Sequence, residues 1–111
     1  MTNDSEREAT SPIPVILDTD IGDDIDDTWA LALLLKSPEF QVKLVSADTA
    51  DTPYRAKLAA RLLDIAGRSD LPVGIGIEGV GRPTDRHQAD WVKDYNLASY
   101  PGRVCEDGVQ A

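Results

Sequence analysis

The most constraining feature of this chain is a run of six carboxylates within residues 18–27, which lies between two apolar segments. Residues 13–17 precede the run, and a stretch rich in Ala and Leu, residues 29–35, follows it. Two unit charges about 5 Å apart repel by roughly 3 kcal/mol at an effective dielectric constant near 20. Bringing several such charges together therefore requires a bound cation or protonated carboxyl groups. We interpret the run as a divalent metal site.

Three short apolar segments, residues 14–18, 41–46 and 71–77, are typical of buried strands. Each pair of neighbouring segments is separated by a stretch with helical character, so the predicted order is βαβαβ. Strands joined in this way run parallel and are connected by right-handed crossovers. The sequence therefore predicts an α/β fold with an open, mostly parallel sheet and flanking helices.

Two helices are predicted between these strands. Residues 27–36 are apolar all round, which predicts a helix that is buried on most sides. The second helix is marked by Thr52 as its cap, Pro53 at its first position and Gly67 at its end. The residues after the third strand contain many turn formers, which predict loops and one short helix near residues 88–96.

Both acidic clusters follow predicted strands. The run over residues 18–27 follows the first strand, and Asp48 and Asp51 follow the second. Because ligand sites lie at the carboxyl ends of parallel strands, we expect these side chains to share one edge of the sheet. Asp18 and Asp20 point to the same side if the strand continues through them. Aspartate oxygens are ligands that hard cations prefer.

Simpler explanations exist for parts of the acidic run. Asp26 and Asp27 begin the first predicted helix, where the helix dipole favours negative charge, so one of them is expected to cap that helix. Asp18 and Asp20 also match the Asp-x-Asp pattern of haloacid-dehalogenase-like phosphatases. That pattern prefers Thr or Val at the position that Gly22 occupies, which weakens the match.

Composition excludes several classes of function. The net charge of −9 argues against nucleic acid or an anionic membrane as a partner. Residues 1–11 lack the apolar core of a signal peptide, and no apolar stretch is long enough to cross a bilayer. Cys105 is the single cysteine, so no intrachain disulfide can form. A cytoplasmic protein is therefore predicted.

Residues 15–22, Val-Ile-Leu-Asp-Thr-Asp-Ile-Gly, together with residues 24–27, Asp-Ile-Asp-Asp, resemble a family signature. The family is that of the inosine-uridine preferring nucleoside hydrolases, in a variant that reads Asp-Thr-Asp-x-Gly-x-Asp-x-Asp-Asp. Residues 45–52, 55–67 and 71–76 also match this family in type and spacing. The length of the signature and its position between strand and helix make the resemblance fairly specific.

The resemblance implies hydrolysis of the N-glycosidic bond of a purine or pyrimidine ribonucleoside, giving ribose and a free base. It also implies one bound Ca²⁺, with Asp20 and Asp27 as ligands and Asp18 supporting the site. Asp20 is further implied to accept the proton of the attacking water. Either Asp26 or Asp24 is implied to bind a ribose hydroxyl, with Asp26 preferred, and Asp51 lies where the family has a residue that contacts the sugar.

We divide the chain into a disordered polar N-terminus, residues 1–12, and the N-terminal portion of a nucleoside-hydrolase-like domain, residues 13–111. Because family members are much longer, we interpret the chain as truncated and expect it to bind calcium poorly and to have little or no activity. The family also implies a homodimer or homotetramer for a full-length form. A catalytically inactive metal- or ligand-binding remnant, and a phosphatase-like hydrolase that uses Asp18 and Asp20, are the alternatives.

Overall fold

The computed structural model describes residues 11–22, 25–79 and 88–109. Within these residues, four strands form one sheet in the order β1-β2-β3-β4, and all neighbouring pairs are parallel. The strands are β1 (Ile13–Thr19), β2 (Phe40–Ala47), β3 (Val73–Ile75) and β4 (Val104–Cys105). The predicted α/β fold with a parallel sheet is confirmed. The two-residue strand β4 was not predicted, because two residues are too few to form a recognisable pattern.

The helices of the described residues connect these strands. They are α1 (Asp26–Leu35) between β1 and β2, α2 (Thr52–Ile65) between β2 and β3, and α3 (Ala89–Val92), with a 3₁₀-helix (Leu97–Ser99) before β4. No helix in this part of the chain combines the length and the apolar character needed to cross a bilayer. Residues 1–10 of the predicted disordered N-terminus lie outside the described residues.

Both long helices are expected on one face of the sheet, because the strand order runs in one direction and right-handed crossovers keep successive helices on the same side. The packing agrees with this arrangement. Val45 of β2 and Val73 of β3 belong to one buried core with Leu31 of α1 and Leu63 of α2. Leu17 of β1 packs against this core. Residues that alternate with them along the strands therefore point to the opposite face.

The expectation that α1 is buried on most sides was wrong. Leu31 is its one fully buried residue, whereas Trp29 and Leu33 are 71% and 70% exposed. An apolar pattern shows which residues could be buried, but it does not show how many neighbours are present to bury them. Only part of helix α1 reaches the main core: Leu31 belongs to it, and Leu34 and Leu35 pack against it.

The caps of the helices differ in detail from the prediction. Helix α2 is capped by Asp51, whose Oδ1 accepts a hydrogen bond from the Tyr54 N–H at 3.2 Å, and not by Thr52. The Thr52 side chain is buried and donates to the Gly76 carbonyl at 2.9 Å, which joins α2 to the end of β3. Gly67 follows the helix with φ +74°, as its predicted position at the end requires.

The predicted aspartate cap of α1 is not formed. Ile25 occupies the N-cap position, and no side chain caps the helix there. Asp26 and Asp27 both lie in the first turn, so the helix dipole still favours their negative charge. The Oδ1 atom of Asp26 accepts a hydrogen bond from the Asp27 N–H at 3.0 Å.

Candidate functional site

The carboxyl ends of β1 and β2 bring acidic side chains together. Asp18 lies near the end of β1, and Asp48 follows β2 directly. The two strand ends stay joined, because the Asp48 N–H donates to the Thr19 carbonyl at 3.0 Å. The Asp18 and Asp48 carboxyl groups lie within hydrogen-bonding distance of each other. They form the first of two carboxyl pairs at this edge of the sheet.

Burial and its partner carboxyl raise the pKa of Asp18. Partial burial is the largest cause, followed by the hydrogen bond and the like charge of Asp48, and together they bring the pKa to about 6. A carboxyl pair at hydrogen-bonding distance retains a proton more readily than either group alone, because ionising both would place two negative charges side by side. A bound cation would relieve the same repulsion.

Asp20 and Asp27 form the second carboxyl pair. The pKa of Asp27 is raised to about 6, first by the hydrogen bond with Asp20 and then by partial burial. The negative charges of Asp20 and Asp26 add to this effect, and the positive charge of Arg55 opposes it. This pair joins the residue after β1 to the first turn of α1.

A cavity of about 550 Å³ lies on the sheet face opposite the two long helices. This volume is in the range of small-molecule sites, which measure roughly 300–1,000 Å³. The polar residues of its lining are Asp18, Ser46, Asp48 and Thr49. The other lining residues are mostly apolar or glycine: Ile16, Leu44, Gly76, Ile77, Gly108 and Val109.

The remaining predicted site residues lie outside this lining. Asp20 and Asp27 form their own pair beside it, and Asp26 bonds locally to the α1 backbone. Asp51 caps α2 and borders a groove between α2 and the segment that contains α3. Asp24 lies outside the described residues. The predicted sugar-binding set is therefore not assembled in one place by the residues that the structure describes.

The predicted metal ligands are divided between the two pairs. Among the described residues, no three acidic, histidine or cysteine side chains converge closely enough to hold a metal. Asp18 faces Asp48, whereas Asp20 and Asp27 face each other. The donor chemistry fits Ca²⁺, because all of these ligands are carboxylate oxygens. The calcium site thus stays a prediction that the donor chemistry supports.

Sequence reasoning missed a buried arginine beneath the acidic loops. Arg55, in the first turns of α2, is 1% exposed, and its Nε donates to the Thr49 carbonyl at 2.8 Å. Its Nη1 donates to the Asp20 carbonyl at 2.6 Å and to the Ile21 carbonyl at 3.2 Å. The sequence contains an indication of this burial, because Arg55 lies four residues before Ala59 and therefore on the apolar face of α2.

Tyr54 fixes the turn that follows the first acidic residues. Its hydroxyl donates to the Gly22 carbonyl at 2.7 Å and accepts a hydrogen bond from the Gln88 N–H at 3.2 Å. Gly22 has φ +115°, a conformation that residues with a Cβ rarely adopt, so this turn requires a glycine.

Together, the fold and these carboxylates define a class of protein. The chain is an open parallel α/β domain with an acidic site of small-molecule size at the carboxyl edge of its sheet. Ligands of such domains bind at this edge.

The family model for the inosine-uridine preferring nucleoside hydrolases matches residues 15–100, more than half of the chain. The chain therefore belongs to the inosine-uridine preferring nucleoside hydrolase family, as the signature predicted. Similar proteins include the pyrimidine-specific ribonucleoside hydrolases RihA of Klebsiella pneumoniae and Salmonella arizonae, each 39% identical over 66 residues. RihA of Escherichia coli is 36% identical over the same length.

These matches cover 58% of this chain and 21% of each relative, so the chain spans about a fifth of the length of the curated relatives that it matches. No solved structure matches the chain.

Proposed function

We propose that this chain belongs to a hydrolase that cleaves the N-glycosidic bond of ribonucleosides, releasing ribose and a free base. The observation that carries the proposal is the cavity of about 550 Å³ with the Asp18–Asp48 pair in its lining, in a chain of the nucleoside hydrolase family. Because the similar RihA proteins are named as pyrimidine-specific, uridine is the first substrate to test. A cytoplasmic location and a dimeric or tetrameric full-length form belong to the same proposal.

Calcium is the proposed cofactor, with Asp20 and Asp27 as ligands and Asp18 in support. Each of these side chains meets another carboxyl, and a divalent cation would offset the repulsion within each pair. When bound, a divalent cation lowers the pKa of a coordinated water and holds that water in place.

The residues of the chain have separate tasks in the proposed reaction. The water oxygen forms a bond to C1′ of the ribose while the bond between C1′ and the base nitrogen breaks. The Asp20 carboxylate accepts the proton that the water loses and later releases it to solvent, while the departing base takes up a proton from solvent. Positive charge develops on the sugar ring, and the surrounding carboxylates stabilise it.

The ribose hydroxyls are proposed to bind Asp26 or Asp24, with Asp51 as a further sugar contact. Asp26 lies in the first turn of α1 next to the Asp20–Asp27 pair. One oxygen of Asp51 already accepts the hydrogen bond from the Tyr54 N–H that caps α2. A sugar hydroxyl would therefore have to bind the same carboxylate while this capping bond is kept.

A calcium titration and a hydrolysis assay test this proposal on the 111-residue chain. We expect saturable calcium binding by calorimetry and slow ribose release from uridine that a chelator abolishes. Asp20→Asn should remove the ribose release, because an amide cannot accept the proton of the water. The matched control is Asp90→Asn, an exposed aspartate of α3, which should leave binding and ribose release unchanged.

Three other outcomes contradict the proposal in different ways. Calcium binding without ribose release indicates a catalytically inactive remnant of the family. Release of phosphate from a phosphate monoester, with no ribose from uridine or inosine, indicates the phosphatase-like alternative at Asp18 and Asp20. Ribose release that is equal in the parent and in Asp20→Asn removes Asp20 from the proposed chemistry.

A further inference from the structure

Arg55 is a buried cation that contacts two different loops of the site. Its Nη1 donates to the carbonyls of Asp20 and Ile21, which lie in the loop between β1 and α1. Its Nε donates to the carbonyl of Thr49, in the loop between β2 and α2. The side chain is 1% exposed, so these bonds form away from bulk water.

The geometry of the guanidinium suits this position better than a lysine ammonium does. A guanidinium carries five donors in a rigid plane, so one side chain can bind carbonyls that lie in different directions. A lysine ammonium is a single point at the end of a flexible chain, and it cannot occupy both donor positions at once. Arg55 therefore connects the two loops, and next to them the Asp48 N–H donates a hydrogen bond to the carbonyl of Thr19 at the end of β1.

The second loop has a backbone that needs such support. Thr49 and Ala50 both have positive φ, +77° and +54°, although neither is glycine. Residues in this conformation persist only where the surrounding structure holds them. Arg55 holds the Thr49 carbonyl at 2.8 Å, and the Gly79 N–H donates to the Ala50 carbonyl at 2.7 Å. This loop carries Asp48 and Thr49, which line the cavity.

We infer that Arg55 is a positioning residue of the acidic site, because it fixes the loop that carries Asp20 relative to the loop that carries Asp48. By holding both backbones, it sets the separation of the two carboxyl pairs before a cation binds. The inference rests on the proposed function, since a calcium site is what the positioning would serve. It does not require Arg55 to touch either the substrate or the cation.

Arg55→Lys tests the inference, because it keeps the positive charge and removes the planar set of donors. We expect calcium affinity, measured by calorimetry on the 111-residue chain, to fall about 10- to 100-fold, as is typical when a residue that orients metal ligands is lost. The matched control is Arg61→Lys on the same helix, where the guanidinium lies over the rings of Trp91 and Tyr95 at 5.4 and 5.7 Å. This control should bind calcium like the parent. An unchanged affinity in folded Arg55→Lys would overturn the inference.

A measurement on the calcium-free parent separates this inference from the proposed function. The Arg55 Nε–H should exchange slowly with solvent by NMR, whereas the Nε–H of the exposed Arg103 should exchange quickly. In Arg55→Lys, the amide signals of Ile21 and Ala50 should shift, and in Arg61→Lys they should stay in place.

If the parent does not bind calcium, the proposed cofactor is wrong, but the exchange measurement still decides whether Arg55 holds the loops. Fast exchange of its Nε–H would overturn the inference even if Arg55→Lys fails to fold. Slow exchange and shifted amide signals, together with weaker calcium binding in the variant, would support it.

Discussion

Asp18 and Asp27 differ from ordinary surface aspartates because each meets a second carboxyl group at the edge of the sheet. Their pKa values are raised to about 6, from an ordinary value of 3.8. Between about pH 3.8 and about pH 6, the folded chain therefore binds protons more tightly than the unfolded chain. The stability that this protonation contributes is fully present below about pH 3.8 and is lost as the pH rises through about 6.

The first prediction concerns the pH dependence of stability without a cation. In the presence of a chelator, the urea midpoint of unfolding should rise as the pH falls from 7 to 5, because Asp18 and Asp27 take up protons in the folded state. Solvent still reaches both groups, so we expect a change of about 1 kcal/mol or less. Asp48→Asn should reduce this pH dependence by removing the like-charged partner of Asp18, and Asp90→Asn should not. A midpoint that falls between pH 7 and 5 would contradict the assignment.

The second prediction concerns the turn at Gly22. A Cβ added there would lie 2.7 Å from Cε2 of Tyr54, and φ is +115°. Gly22→Ala should therefore lower the free energy of unfolding by at least about 2 kcal/mol, through backbone strain and overpacking. Gly67→Ala is the control: φ is +74° and no atom lies within 4 Å of the added Cβ, so only about 1 kcal/mol is expected. Equal losses in urea unfolding would show that the Tyr54 contact has no energetic effect.

At the scale of secondary structure, α1 is the element whose surroundings the sequence described least well. Its apolar residues occur on every side, yet the described structure buries Leu31 and leaves Trp29 and Leu33 largely exposed. Substitutions of Leu31 and Leu33 measure how much a buried and an exposed side chain of this helix contribute to the free energy of unfolding.

We expect Leu31→Ala to lower the free energy of unfolding by about 3 kcal/mol, because it removes a fully buried side chain and leaves a cavity. Leu33→Ala should change it by no more than about 0.5 kcal/mol, since that side chain is largely exposed. Urea denaturation followed by circular dichroism compares the two variants. Comparable losses would mean that Leu33 is covered in solution, for example by another chain.

Features of this chain that depend on neighbouring residues could be predicted from the sequence, whereas features that depend on distant contacts could not. The strands and the acidic edge were predicted because apolar periodicity and strand order are properties of neighbouring residues. The cap of α2 lies one residue before its predicted position. Asp51 and Thr52 are both residue types that cap helices well, and the Thr52 side chain binds the Gly76 carbonyl instead of capping the helix. The pairing of Asp18 with Asp48, and the contacts of Arg55, join distant parts of the chain. Sequence spacing alone does not fix such contacts.

For the molecule as a whole, the main consequence of the strand order is that the two faces of the sheet differ. One face carries α2 and the main core. On the other face lies the cavity, whose lining includes Ile16, Ile77 and Val109, exposed by 64%, 65% and 66%. Contiguous exposed apolar surface of this kind marks interaction sites and also promotes association.

The last prediction follows from this face. At high concentration the 111-residue chain should self-associate reversibly in sedimentation experiments and bind a hydrophobic dye, because burial of Ile16 and its neighbours releases about 25 cal/mol per Å² of apolar surface. Ile16→Thr should weaken both effects, since it places a hydroxyl in the centre of the patch. The matched control is Ile65→Thr: Ile65 is also 64% exposed but lies at the end of α2, outside the cavity lining. If both variants reduce association and dye binding equally, general surface hydrophobicity is responsible. A loss confined to Ile16→Thr would identify the cavity face as the surface through which the 111-residue chain associates with itself.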